Sequence, residues 1–177
     1  DEEIMSVAES YDCEVPFRRP ERLARDETPS VDALVHALDE LPPYDYVASL
    51  QPTSPLREAK DIDETITRCH EFGAPACTTL VEIGKPLQWM FTLTENNRLQ
   101  SAAEADTDEV TRRQDAESLY TVNGAVSVAR TDWIRSQTSF RTAETLGHVM
   151  PKERSPDIDS NLDLEWCRFL LSKSDRI

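Results

Sequence analysis

Asp157 and Asp159 flank Ile158 in the stretch "PKERSPDIDSNLDLEW". In an extended segment, residues two apart point the same way, so these carboxylates face one side about 6–7 Å apart. Mg²⁺ takes one or two carboxylates and fills its other positions with water and substrate phosphate. The spacing suits that use, with Ile158 turned toward the core. Lys152 and Arg154 lie just upstream, where they can neutralise phosphate charge. The same residues also read as a solvated turn, with Asp159 or Ser160 capping the helix that follows.

A second group lies in "LQPTSPLR", Leu50 to Arg57. Gln51 offers a donor and an acceptor, Thr53 and Ser54 offer hydroxyls, and Arg57 offers a planar fork suited to phosphate or carboxylate. Prolines at 52 and 55 would hold these groups at little entropic cost. The alternative is a structural loop in which Ser54 caps the next helix and Pro55 occupies its first turn. A third group is "YTVNGAVSV", preceded by "TRRQ". Gly124 permits a left-handed bend that would aim the Asn123 amide at a ligand. An ordinary turn is the other reading. Arg112 and Arg113 form a basic pair in an acidic chain, and are as readily surface residues as ligands of an anion.

These groups need a frame. Tyr44 to Gln51 reads as a strand, Glu58 to Phe72 as an amphipathic helix through Ile62, Ile66 and Cys69, and Ala76 to Val81 as a second strand. Strand, helix, strand implies a parallel crossover and an α/β fold, in which ligands gather beyond the carboxyl ends of the strands. "LQPTSPLR" falls at such an end. Upstream, Glu2 to Tyr11 reads as an uncapped helix, and another runs from Pro29 with Thr28 as its cap. Downstream come a hairpin turning at Asn96-Asn97, an acidic "SAAEADTDEV" read as a mobile loop, and a buried strand "GAVSVAR". Short helices over 131–137 and 163–172 complete the set.

The chain has 177 residues, enough for one domain with a substantial core. Its 34 acidic and 19 basic residues give a formal net charge of −15, which disfavours nucleic acid and anionic membranes as partners. An anionic ligand in a locally basic pocket remains compatible. No apolar run approaches a membrane span, and the N-terminus lacks the layout of a signal peptide. Cys13, Cys69, Cys77 and Cys167 form no C-x-x-C pair, so they read as reduced thiols of a cytoplasmic protein. With 4 glycines there is no Gly-rich phosphate loop.

Taken together, "LQPTSPLR", "RRQ" followed by "NGA", and "ERSPDIDSNLDLE" resemble the acylneuraminate cytidylyltransferases in order and spacing, as does "VPFRRPERLARDETPS" before them. The resemblance covers nearly the whole chain. It implies a three-layer, nucleotide-diphospho-sugar transferase-like (Rossmann-like) mixed α/β sheet. It also implies cytidylyl transfer from CTP to a nine-carbon 2-keto sugar acid with Mg²⁺ present. Asp157 and Asp159 fall on metal-binding positions, Gln51 and Asn123 on sugar contacts, and Arg113 on a basic active-site position. Phe140, in a subunit-contacting arm over about 131–151, resembles an aromatic that a neighbouring subunit inserts into the sugar pocket. A homodimer is therefore expected.

Thr121, Ser127 and Arg141 depart from the family pattern around the acceptor sugar. "NGA" resembles the sialic and legionaminic branch, and pseudaminic or other keto acids are the further alternatives. Family members open with a strand and a basic, Gly-containing loop around the CTP phosphates, which does not occur here. The expectation is thus a partial domain over 1–177, lacking that strand and loop and inactive by itself. The non-enzyme alternative is a degenerate domain that dimerises or binds sugar without turnover.

Overall fold

The computed structural model describes residues 1–103, 112, 114 and 116–174. In chain order the elements are α1 (Glu2–Ser10), α2 (Ser30–Glu40), β1 (Tyr46–Ser49), α3 (Ala59–Glu71), β2 (Ala76–Ile83), β3 (Phe91–Leu93), β4 (Leu99–Ser101), β5 (Leu119–Arg130), α4 (Thr131–Ile134), β6 (Thr145–Val149) and α5 (Asn161–Ser174). Among the described residues, one sheet has four strands in the order β1-β5-β2-β6, and β3 pairs with β4 in a separate hairpin. No helix of the described residues is long and apolar enough to cross a membrane.

The chain divides into two compact units. The first comprises Asp1–Ser49, Ile62–Thr78 and Val126–Leu146. Its core joins Val31 and Leu38 of α2 to Ala76 of β2, Ala129 of β5 and Ile134 of α4. Leu34, Val35, Val47, Trp133 and Phe140 pack around that cluster. The spacing of Val31, Leu34, Val35 and Leu38 is why this stripe of α2 turns inward. β1 runs antiparallel to β5, with Tyr46 opposite Arg130 and Ser49 opposite Ser127. On the other side of β5, Arg130 N–H donates to the Pro75 carbonyl and the Thr78 hydroxyl meets that of Ser127. Ascending numbers on one strand thus face descending ones on the other, so β2 is antiparallel to β5 and parallel to β1. The crossover from β1 to β2 is present, but β5 lies between the two strands.

Several local readings are corrected. α1 does have a cap, since the Asp1 carboxylate accepts from Glu3 N–H at 2.8 Å. α2 begins after Pro29 without a side-chain cap, and the Thr28 hydroxyl instead donates to the Arg22 carbonyl. In α3 the inward stripe is Asp61, Thr65 and Cys69, while Ile66 is exposed. The helix is rotated so that a carboxylate occupies a position where an isoleucine was expected. Gly73 follows α3 at φ +61, the left-handed cap that glycine adopts most readily.

The second unit comprises Leu50–Asp61, Thr79–Ala125 and Gly147–Ile177. Its hairpin pairs Phe91 with Ser101 and Leu93 with Leu99, and Asn97 takes φ +57 in the expected turn. Met150 N–H donates to the Leu80 carbonyl at 2.8 Å, extending β6 along β2. α5 buries Cys167. The four cysteines are unbridged. Most of "SAAEADTDEV" lies outside the described residues.

Candidate active site

The Gln51 loop is closed on itself by Arg57. One guanidinium nitrogen of Arg57 donates to the carbonyls of Gln51 at 2.6 Å, Ser54 at 2.9 Å and Ala125 at 3.3 Å. Partial burial lowers the pKa of that guanidinium. Ser54 is fully buried, and its hydroxyl donates to the Asn123 carbonyl at 3.1 Å. α3 starts only at Ala59, so Ser54 does not cap it. Both residues, expected from their chemistry to meet a ligand, fasten the loop to β5 here. Gln51 is exposed and keeps its side chain over Gly124.

Asn123 is the hub beneath this loop. It is 4% exposed. Its Oδ1 accepts from the Thr79 hydroxyl at 2.6 Å and from Ala125 N–H at 3.2 Å. Its Nδ2 donates to Ser155 Oγ at 3.0 Å and approaches Met150 sulfur at 3.3 Å. A primary amide has two donor hydrogens and two acceptor lone pairs, and each is engaged within the protein. The amide therefore joins β5, β2 and the segment after β6 rather than projecting toward solvent. Gly124 follows at φ +72. A Cβ there would sit 2.5 Å from Gln51 Oε1 and 3.2 Å from Ser54 Oγ, so glycine is required by conformation and by space alike.

The aspartate segment continues from Ser155. Lys152–Arg154 form a 3₁₀ turn with Lys152 exposed. Arg154 grips the carboxylate of Asp61 with both arms of its fork, Nε to Oδ2 at 3.0 Å and Nη2 to Oδ1 at 2.6 Å. Asp61 is fully buried and also accepts from Glu58 N–H at 2.8 Å. Burial alone would raise its pKa, but the bonds from Arg154 and Glu58 outweigh that and hold the carboxyl below the usual range. Arg154, expected to meet phosphate, is matched to a carboxylate instead. Ser155 is buried, and its hydroxyl donates a hydrogen bond to the Pro151 carbonyl at 2.7 Å.

Ile158 N–H donates to the Thr53 carbonyl at 2.9 Å, which pins the aspartates beside the Gln51 loop. Asp157 and Asp159 are exposed on either side of the half-buried Ile158. Capping of α5 falls to Ser160 and Asp163, whose side chains bond each other at 2.7 Å while Asp163 also accepts from Ser160 N–H. The cap thus leaves the carboxylates of Asp157 and Asp159 outside it. Among the described residues neither makes a hydrogen bond or ion pair through its side chain, and no group of three or more His, Cys, Asp or Glu gathers as a metal cluster. Two exposed carboxylates are hard oxygen donors of the kind Mg²⁺ accepts.

The second unit thus gathers Gln51, Ser54, Arg57, Asn123, Lys152, Arg154, Asp157 and Asp159. Phe140 belongs to the first unit, half-buried against its core. Arg113 lies outside the described residues. The readings from sequence missed Asp61, Thr79 and Ser155. Only Ser155 carried a signal, as a small hydroxyl residue between the Arg and Pro of "ERSPDID".

No family profile matches the chain. An N-acylneuraminate cytidylyltransferase of Escherichia coli is 31% identical over 176 residues, 99% of this chain and 41% of that protein. One from Streptococcus agalactiae serotype V is 30% identical over 84% of this chain and 35% of its own length. A CMP-N,N'-diacetyllegionaminic acid synthase of Campylobacter jejuni is 28% identical over 97% of this chain and 74% of the relative. The chain therefore spans less than half the length of the first two relatives. In structure it is similar to a CMP:2-keto-3-deoxy-manno-octonic acid synthetase complexed with CTP, with a TM-score of 0.55 over 84% of this chain and 70% of that one. At 14% identity that likeness carries the fold, a mixed α/β sheet of the nucleotide-sugar transferase type. In sequence the chain is thus similar to N-acylneuraminate cytidylyltransferases and to a CMP-legionaminic acid synthase, and the structural likeness agrees with that in fold.

Proposed function

We propose that the protein carrying this chain transfers a cytidylyl group from CTP to a nine-carbon 2-keto sugar acid of the N-acylneuraminate type. The anomeric hydroxyl oxygen bonds to the α-phosphorus, the bond to the β-phosphate oxygen breaks, pyrophosphate leaves and the hydroxyl proton passes to solvent or base. The observation that carries this reading is the pair Asp157 and Asp159, exposed and held against the Gln51 loop by the bond from Ile158 to Thr53. Bound there, Mg²⁺ supplies positive charge to phosphate oxygens.

The chain's own residues do the rest. Gln51 presents a donor and an acceptor over Gly124, suited to a sugar hydroxyl or acylamino group. Arg57 and Asn123 keep that side chain in place by fixing the loop and β5. Lys152 is exposed three residues before Ser155 and can approach a phosphate as a point charge. Arg113 is proposed as a further cation on the strength of the motif alone. A homodimer is part of the same proposal, with Phe140 packed against the core of its own subunit.

The legionaminic relative, matched over 74% of its length, supports a second reading in which the acceptor is a legionaminic-type acid. The test is direct. Protein made from the full reading frame, given CTP, Mg²⁺ and N-acetylneuraminate, releases pyrophosphate and yields a CMP-sugar. A preference for N,N'-diacetyllegionaminate in competition selects the second reading, and no product from either acid overturns both.

A further inference from the structure

Asp61 stands on the buried stripe of α3, where an apolar residue would be the ordinary choice. A buried ion pair is poor evidence of a need for stability, because apolar residues of equal volume serve as well or better. What the pair provides is direction. The planar fork of Arg154 meets both oxygens of Asp61 and so fixes the orientation of the turn that carries it. Asp61 is fixed in turn by Glu58 N–H, one residue beyond the Arg57 clasp.

From Arg154 the chain runs through Ser155, anchored on Asn123, to Ile158, anchored on Thr53. Thr53 lies in the loop that leads back to Arg57 and Glu58. The contacts therefore close a ring, with Asp157 and Asp159 exposed on its rim.

We propose that the Asp61–Arg154 pair is a positioning device for the carboxylates of Asp157 and Asp159. It sets their separation and their placement beside the Gln51 loop without touching the metal. This rests on the reading of those aspartates as Mg²⁺ ligands. Groups that orient metal ligands typically change metal affinity by about 10–100-fold when removed.

The test uses Mn²⁺ alone as a paramagnetic stand-in for Mg²⁺, titrated into protein made from the full reading frame and followed by water-proton relaxation. Arg154→Lys keeps the charge but loses the fork, and is expected to weaken Mn²⁺ binding about tenfold. The Ile158 amide should exchange faster with solvent in the same variant. Asp61→Glu, which keeps the carboxylate, should recover part of what Asp61→Asn loses. Asp159→Asn serves as the control on the underlying reading. If Asp159→Asn leaves Mn²⁺ binding unchanged, or the parent chain binds none, the metal reading falls and this proposal with it. If Asp159→Asn abolishes binding while Arg154→Lys lowers the melting temperature but leaves affinity intact, the pair is structural only and this proposal alone is overturned.

Discussion

Ile158 donates its backbone N–H to the carbonyl of Thr53, 2.9 Å away, and so joins the aspartate segment to the proline-rich loop. Because the bond is made by backbone, it constrains where the neighbouring carboxylates sit and leaves both side chains available.

Asp159→Asn in the protein from the full reading frame is expected to slow CMP-sugar formation at least about a hundredfold, since charge stabilisation by a metal contributes several kcal/mol. The residue is exposed, so the melting temperature should hardly move. Steady-state rates at saturating Mg²⁺ together with a melting curve check both halves. Near-normal turnover would remove the aspartate from the metal site.

Asn123→Ala should act mainly on stability. It strips partners from Thr79, Ser155 and Ala125 in a buried setting, and each such group left unsatisfied costs about 1–3 kcal/mol. Urea unfolding should show a clearly lower midpoint. An unchanged midpoint with weaker sugar binding would return the amide to the role of a ligand contact.

Gly124→Ala combines a left-handed backbone, costing about 1–2 kcal/mol, with a Cβ placed 2.5 Å from Gln51 Oε1. Gln51 must move away. The expected result is a raised KM for the sugar acid with a smaller change for CTP, alongside lower stability. If both KM values stay at the parent level, Gln51 is not a sugar contact.

Acid should weaken the Asp61–Arg154 pair in a definite direction. The folded-state pKa of Asp61 is held below the unfolded value of about 3.9. Its contribution is therefore present in full above that value, and fades as pH falls through the folded one. Comparing urea midpoints at pH 7 and near pH 3, Asp61→Asn should lose less stability than the parent. An equal loss in both proteins would show that other carboxylates govern acid unfolding.

Phe140→Ala should lower stability by about 1.5–3 kcal/mol, because the ring packs against the core of the first unit. Melting temperature and binding constants for sugar and CTP, measured together, give a clear separation. A selective loss of sugar affinity with little change in stability would instead favour insertion into a partner's pocket.

The elements that could be read from sequence are those with strong local signals. β1, α3, β2 and the Asn97 hairpin all appear within a few residues of their expected bounds, because β-branched runs, amphipathic spacing and turn residues act locally. Placing β5 between β1 and β2 was not legible, since pairing between distant strands leaves no local mark. The site shows the same division. Residue types suited to phosphate and sugar stood out, yet Ser54, Arg57, Asn123 and Arg154 prove to be engaged with protein partners in the fold. Asp61 was invisible because three apolar residues at helical spacing, Ile62, Ile66 and Cys69, outweighed one acid in the count. The partner that makes its burial tolerable lies 93 residues away.

That separation bears on the order in which the fold is completed. A contact between Asp61 and Arg154 requires closing a long stretch of chain, a loss of freedom that is recovered only once neighbouring contacts also form. The Gln51 loop leaves the ribosome well before Arg154, Ser155 and Ile158 exist to hold it. The loop can take up its final, fastened geometry only once residues 154–158 have followed it.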